Sequence, residues 1–240
     1  MFMPKVHGVI RRRLLVNFRL DPAVAQAQLP SPFRPKLQDG QAVGGICLIR
    51  LEDIRPKRFP RLLGISSENA AHRLAVTWSD AEGEHEGVYI PRRDSGSLLN
   101  QLAGGRIFPG EHHRAAFFVT ERDGDIDLNM MSSDGTVTVH VAASVANDWP
   151  QTSVFPSLET ASAFFEGGSL GYSARADGRK LDGVVLHTKT WDVQPLAVRA
   201  VSTSYFDDIS RFPAGSIAFD CALLMRNIAH EWEPAAEMYI

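Results

Sequence analysis

The densest group of ionisable side chains in this sequence is Arg106, Glu111, His112, His113 and Arg114. A carboxyl and an imidazole at such spacing can exchange a proton, because histidine titrates near neutral pH and a glutamate can be tuned to act as acid or base. A neighbouring guanidinium can hold an oxyanion or a carboxylate. The same residues also read as a solvated loop leading into a strand over 115–121, and both readings stand at this point. A second candidate is Lys189. On a strand over 184–193 it shares a face with Val185, His187, Trp191 and Val193. A lysine buried among apolar groups can become a nucleophile. The opposite face (Val184, Leu186, Thr188, Thr190, Asp192) is equally amphipathic, so the register is open and a solvent-facing lysine is the simpler reading.

Other chemistries lack their residues. The eight histidines show no His-x-x-x-His spacing, no Cys-x-x-Cys pair exists, and His112 and His113 would diverge on a strand. No metal and no cofactor is expected. Gly167-Gly168-Ser169-Leu170-Gly171 lacks the Lys-Ser/Thr of a phosphate loop, and there is no Gly-x-Ser-x-Gly elbow. Cys47 and Cys221 lie in apolar runs and read as buried free thiols, with a disulfide or a reactive thiol as the alternative. Arginines number 20 and lysines 5. Arginine stays protonated and cannot serve as an amine nucleophile, so the bias narrows covalent options.

The elements that must position these groups are mostly strands. Five Asp-Gly pairs (Asp39-Gly40, Asp123-Gly124, Asp134-Gly135, Asp177-Gly178, Asp182-Gly183) offer the positive φ that tight hairpins need. Ile126, Leu128 and Met130 alternate with Asp125, Asp127 and Asn129. Val137, Val139, Val141 and Val145 alternate with Thr136, Thr138 and His140. This pattern predicts an antiparallel hairpin with one buried face. Further strands are predicted over 9–18, 42–51, 73–78, 87–90, 115–121, 169–174, 184–193, 198–206 and 216–226. Short helices are predicted after Asp21-Pro22, over Ser95–Ala103 ending at Gly104, and over Ser157–Glu166 ending at Gly167-Gly168. About eleven strands and three short helices imply a closed or strongly curved antiparallel sheet, since closure removes edges.

The 240 residues show no repeat, low-complexity tract or long linker, and are read as one domain over 1–240. A net charge of −3 argues against nucleic acid as a partner. No apolar run reaches 18 residues and no leader pattern is read, so no membrane partner and a cytoplasmic location are expected.

The order of parts resembles acetoacetate decarboxylase, and more closely a bacterial family of uncharacterised proteins grouped with that enzyme. Arg11–Leu29 followed by Pro30 resembles the family's first strand, short helix and leucine-proline turn. Glu68-Asn69 and then Arg73 resemble the acid and arginine of the next strand. Gly87–Pro109 resembles the strand, turn and helix that carry the family's imine-forming lysine. Phe164–Tyr172 with Leu181–Val193, and Phe212-Pro213 to Glu233, resemble its later hairpin and closing strand. The resemblance implies a mainly antiparallel β-barrel or cone around a small cavity, in a homo-oligomer, with a small-molecule ligand such as a carboxylate. It implies acids at Glu68 and Glu52, an arginine among Arg11–Arg13, and the Arg93-Asp94 pair beside Tyr89.

No lysine lies between Lys57 and Lys180, and Asn100, Gln101 and Arg106 stand where the imine lysine belongs. Neither an amide nor a guanidinium can form that imine. The expectation is lyase, hydratase or aldol-type chemistry on a small oxo-acid or cyclic substrate without the imine, or else a non-catalytic binding or oligomerising accessory role. Glu68, Arg106, Glu111 and His112 are the candidate catalytic groups. Arg73, Tyr89, Arg93, Asp94 and Arg114 are the candidate binding groups.

Overall fold

The computed structural model describes residues 5–56, 59–60, 62, 64–97, 110–175 and 178–240. Its strands, in order, are β1 (Val6–Leu20), β2 (Arg34–Pro35), β3 (Leu37–Gln38), β4 (Gln41–Pro56), β5 (Ile65–Asp80), β6 (Gly83–Ser95) and β7 (His112–Arg122). They continue with β8 (Asp125–Ser132), β9 (Thr138–Val145), β10 (Leu170–Ala174), β11 (Lys180–Thr188), β12 (Gln194–Thr203), β13 (Ile217–Pro234) and β14 (Met238–Tyr239). The helices among the described residues are α1 (Pro22–Gln26) and α2 (Leu158–Gly167). Asp21 caps α1 through Ala23 N and Val24 N, and Ser157 caps α2 through Thr160 N.

The sheet closes twice. One ring runs β6-β7-β8-β9-β12-β13-β1-β4-β5 and returns to β6. A second uses the same β13-β1-β4-β5-β6 wall but is completed by β10 and β11. Most pairings are antiparallel, as the alternating runs and turns predict. The exceptions are two short parallel contacts, β6 with β7 and β6 with β10. The wall strands are the long ones, from 13 residues in β6 to 18 in β13, because each must serve both rings.

That double duty explains the sequence of the wall. A strand with one buried face alternates, but a strand buried on both faces is apolar throughout. Leu14, Val16, Ile46, Leu48, Ala222 and Leu224 point into the first compartment, packed against Ile126, Leu128, Val139, Val141 and Phe206. Their neighbours Leu15, Cys47, Ile49, Cys221, Leu223 and Met225 point into the second, with Phe155, Phe164 and Phe165. In β8, by contrast, Ile126, Leu128 and Met130 are buried and the residues between them exposed, as predicted.

The turns divide. Asp123-Gly124 joins β7 to β8 with φ of 52° and 88°, the positive pair a two-residue hairpin requires. Asp182-Gly183 was expected to be a turn, but it lies inside β11. There Gly183 lets the Tyr172 ring approach, since a Cβ would sit 2.6 Å from it. The helix expected over Ser95–Ala103 does not begin at Ser95, which ends β6 in register with Asn69. The rest of that expectation, residues 98–103, lies outside the described residues.

Candidate functional site

The second compartment is not filled. A cavity of about 130 Å³ lies between the wall, β10, β11 and the C-terminal part of α2. A single water needs about 10–15 Å³ measured this way, so a small organic molecule fits. Much of the lining is apolar, including Leu15, Ile49, Val88, Ile90, Phe164 and Phe165. Set into it are three guanidiniums, Arg13, Arg73 and Arg93.

Each arginine comes from a different wall strand, and among the described residues none is bonded to a carboxylate. Arg13 on β1 donates from Nε to the Cys47 sulfur at 3.3 Å and lies 5.7 Å from the Trp191 ring. Arg73 on β5 donates from Nη2 to Asn17 Oδ1 at 2.5 Å and stacks 5.0 Å from the Phe165 ring. Its Nε is buried without an acceptor. Arg93 on β6 donates from Nε to Ser173 Oγ at 3.2 Å, and its Nη2 is likewise buried and unpaired. Burial pushes both Arg73 and Arg93 down to about 10, and for Arg73 the like charge of Arg13 adds to the effect. Both remain cations at neutral pH. A buried charge without a carboxylate partner is costly, and among the described residues no carboxylate offsets these three.

Two other charged groups on the lining are paired. Asp94 accepts from Arg92 Nη2 at 2.9 Å, and burial raises its carboxyl against the pull of Arg92. Lys36, the one lysine on the lining among the described residues, is 2.6 Å from Glu86 Oε2 and lies over the Phe164 ring at 4.2 Å. His112 completes the polar lining and is in register with Arg93.

The structure divides the sequence candidates. Arg73, Arg93, Asp94 and His112 meet at the cavity. Glu68 does not: its carboxylate is 2.6 Å from Arg12 and 3.9 Å from Arg50, and Arg12 and Arg226 also hold Glu121. Burial raises the Glu68 carboxyl, opposed by Arg12 and then Arg50. Glu52 lies 3.4 Å from Arg11 Nε. Of the arginine triplet, Arg11 is exposed, Arg12 joins this ion-pair network, and Arg13 alone lines the cavity.

Glu111 and His113 border a separate pocket of about 240 Å³ beside Arg92, with His113 Nδ1 3.2 Å from Asp134. Arg114 is exposed. Tyr89 packs away from the cavity against Phe33 at 5.9 Å, and burial raises its hydroxyl. Arg106 lies outside the described residues, as do Asn100 and Gln101. Lys189 is exposed beyond the end of β11, while Val184 and Leu186 face the cavity, which resolves the open register. Sequence reasoning missed Lys36 and Cys47. Lys36 follows a two-residue strand with no periodic signal, and Cys47 is hidden in the apolar run of β4.

A family model for an uncharacterised conserved protein matches residues 9–216. The chain belongs to the DUF2071 family. No curated protein matches this DUF2071 sequence. Solved structures do match its fold. Acetoacetate decarboxylase from Legionella pneumophila aligns over 98% of the DUF2071 chain and 88% of its own, with 13% identity and a TM-score of 0.59. An acetoacetate decarboxylase-like enzyme from Sphingomonas wittichii aligns over 100% and 93%, with 13% identity and a TM-score of 0.57. The enduracididine biosynthesis enzyme MppR complexed with pyruvate aligns over 100% and 91%, with 11% identity and a TM-score of 0.56. The DUF2071 chain is therefore mainly β with the acetoacetate decarboxylase-like fold. Among its described residues no helix is long and apolar enough to cross a membrane.

Proposed function

We propose that this protein binds a small organic carboxylate in the arginine-lined cavity and acts on it by lyase, hydratase or aldol-type chemistry without a lysine imine. The carrying observation is that Arg13, Arg73 and Arg93 line one cavity and none has a carboxylate partner among the described residues. Planar guanidiniums present forked donors that match a carboxylate, and a desolvated site strengthens that bond. A small oxo-acid fits both the volume and the mixed lining, in which apolar residues surround a few convergent polar groups. MppR, whose fold is similar, is known in complex with pyruvate, and this supports the same ligand class here. His112 and Asp94 are the lining groups able to move a proton. Imine chemistry is disfavoured because the ammonium of Lys36 is already committed to Glu86.

The test is a proton NMR time course of the protein with pyruvate or acetoacetate, each alone and with a small aldehyde, alongside thermal-shift titration. Carboxylates should raise Tm, whereas acetone at equal concentration should not, and at least one oxo-acid should be consumed. Equal shifts from acetone and pyruvate would overturn the carboxylate site. Binding without turnover of any oxo-acid would remove the catalytic half of the proposal.

A further inference from the structure

Cys47 lines the cavity. Residues in register run Leu15, Cys47, Ala71, Arg93 and His112 across β1, β4, β5, β6 and β7. In the next row on one side stand Arg13 and Ile49, and in the next row on the other stand Asn17, Gly45 and Arg73. Strands lie about 4.8 Å apart and same-face rows about 7 Å apart, so all three arginines are within a small molecule's length of the sulfur. Arg13 Nε donates to that sulfur directly at 3.3 Å. Gly45 and Ala71, neighbours along and across the strand, are small, whereas Leu15 and Ile49 on the other sides are large.

Cys47 is a free thiol on the lining. The second observation is independent of it. Arg73 is only 5% exposed, lines the same cavity, and its Nε has no acceptor, so the pocket beside the thiol is built for an anion. The other thiol, Cys221, is 1% exposed, does not line the cavity and lies 3.6 Å from Asn17 Nδ2.

Building on the anion site proposed above, we propose that Cys47 is a covalent anchor whose sulfur adds to an electrophilic carbon of a small carboxylate held by Arg73 and Arg93. With an α-oxo acid, a sulfur electron pair forms the C–S bond to the carbonyl carbon. The C=O π pair moves to oxygen, and the thiol proton ends on that oxygen. The product is a hemithioketal; nothing leaves and no oxidant or co-reactant is needed. With iodoacetate the same sulfur forms a C–S bond as the C–I bond breaks, iodide departs, and the thiol proton passes to solvent.

Iodoacetate and iodoacetamide alkylate thiols in the same way but carry a carboxylate and a neutral amide respectively, and so test the anchor once free glutathione corrects for their intrinsic rates. The full-length protein is treated with each, and the rate at Cys47 is read by peptide mass spectrometry against free glutathione. The iodoacetate-to-iodoacetamide rate ratio at Cys47 should exceed that of glutathione at least tenfold. Pyruvate should protect Cys47, Arg93→Gln should return the ratio toward that of glutathione, and Cys221 should stay unlabelled. If pyruvate raises Tm but Cys47 shows the glutathione ratio or no labelling, the anchor is wrong and the anion site survives. If pyruvate has no effect on Tm and Cys47 shows no charge preference, both proposals fall.

Discussion

On one face of the shared wall, Leu14, Val16, Ile46, Leu48 and Leu224 meet the aliphatic rows of β8 and β9 and the rings of Phe18, Phe206 and Phe212, at centroid distances of 5.1–5.3 Å. On the other face, one residue along each strand, Arg13, Cys47, Arg73 and Arg93 border a cavity. The wall backbone is common to both, so on the wall the difference lies in which side chains stand at alternate positions. The first compartment is packed as a core must be. The second keeps unpaired cations that a purely structural core would exclude. The proposed division is that one region serves stability and the other a ligand.

The largest effect should come from opening the filled side. Phe206→Ala removes a ring that is 2% exposed and contacts Phe18, Tyr205 and Phe212. It should cost about 3–5 kcal/mol in urea unfolding while leaving pyruvate affinity within twofold. A comparable loss of affinity would show that the compartments are not independent.

Glu68→Gln probes the ion-pair network that lies off the cavity. Arg12 would lose one of two carboxylates, a cost of about 1–3 kcal/mol because Arg12 is nearly buried. Carboxylate binding should be unchanged. The family resemblance places Glu68 among the catalytic groups of the site instead, so a calorimetric titration of the variant, together with its turnover, separates the two views.

A pH titration sharpens the contrast further. Burial lowers His72 to about 3 and His230 to about 4. Both stay neutral in the folded protein while an unfolded histidine takes up a proton near 6.5. Their contribution is therefore fully present above about pH 6.5 and is lost as pH falls toward 4. Each adds a slope of about 1.4 kcal/mol per pH unit in that window. His72 bonds Thr203 Oγ1 at 3.0 Å and stacks on Tyr205 in the filled region. His72→Gln should reduce the slope of unfolding free energy against pH by about one proton. An unchanged slope would contradict the assignment.

The smallest expected change is in stability on the cavity side. Arg93→Met replaces an unpaired cation by an apolar chain of similar length, and should leave stability unchanged or raise it by about 1 kcal/mol. A loss of several kcal/mol would mean that Arg93 is structural.

The one-faced strands were legible because β8 and β9 alternate cleanly, and the Asp123-Gly124 hairpin and the Ser157 cap follow from local rules alone. The wall was legible as strands but not as a partition, because a run such as Ile46-Cys47-Leu48-Ile49 has no period to say which residue faces which compartment. For the same reason Arg11-Arg12-Arg13 could not be divided in advance into an exposed, a paired and a cavity residue. That division depends on the register of β1 with β4 and β13. Glu111, His112 and His113 looked like one cluster, but strand parity turns only His112 to the cavity. Asp182-Gly183 misled because a glycine can serve close packing as well as a turn.

The most direct test of the central claim is calorimetric titration of pyruvate into the wild-type protein and into Arg93→Met. The account predicts saturable binding to the wild type and affinity at least tenfold weaker in the variant, the scale of a lost hydrogen bond to a charged group. Equal affinity for both proteins, in the presence of wild-type binding, would contradict it.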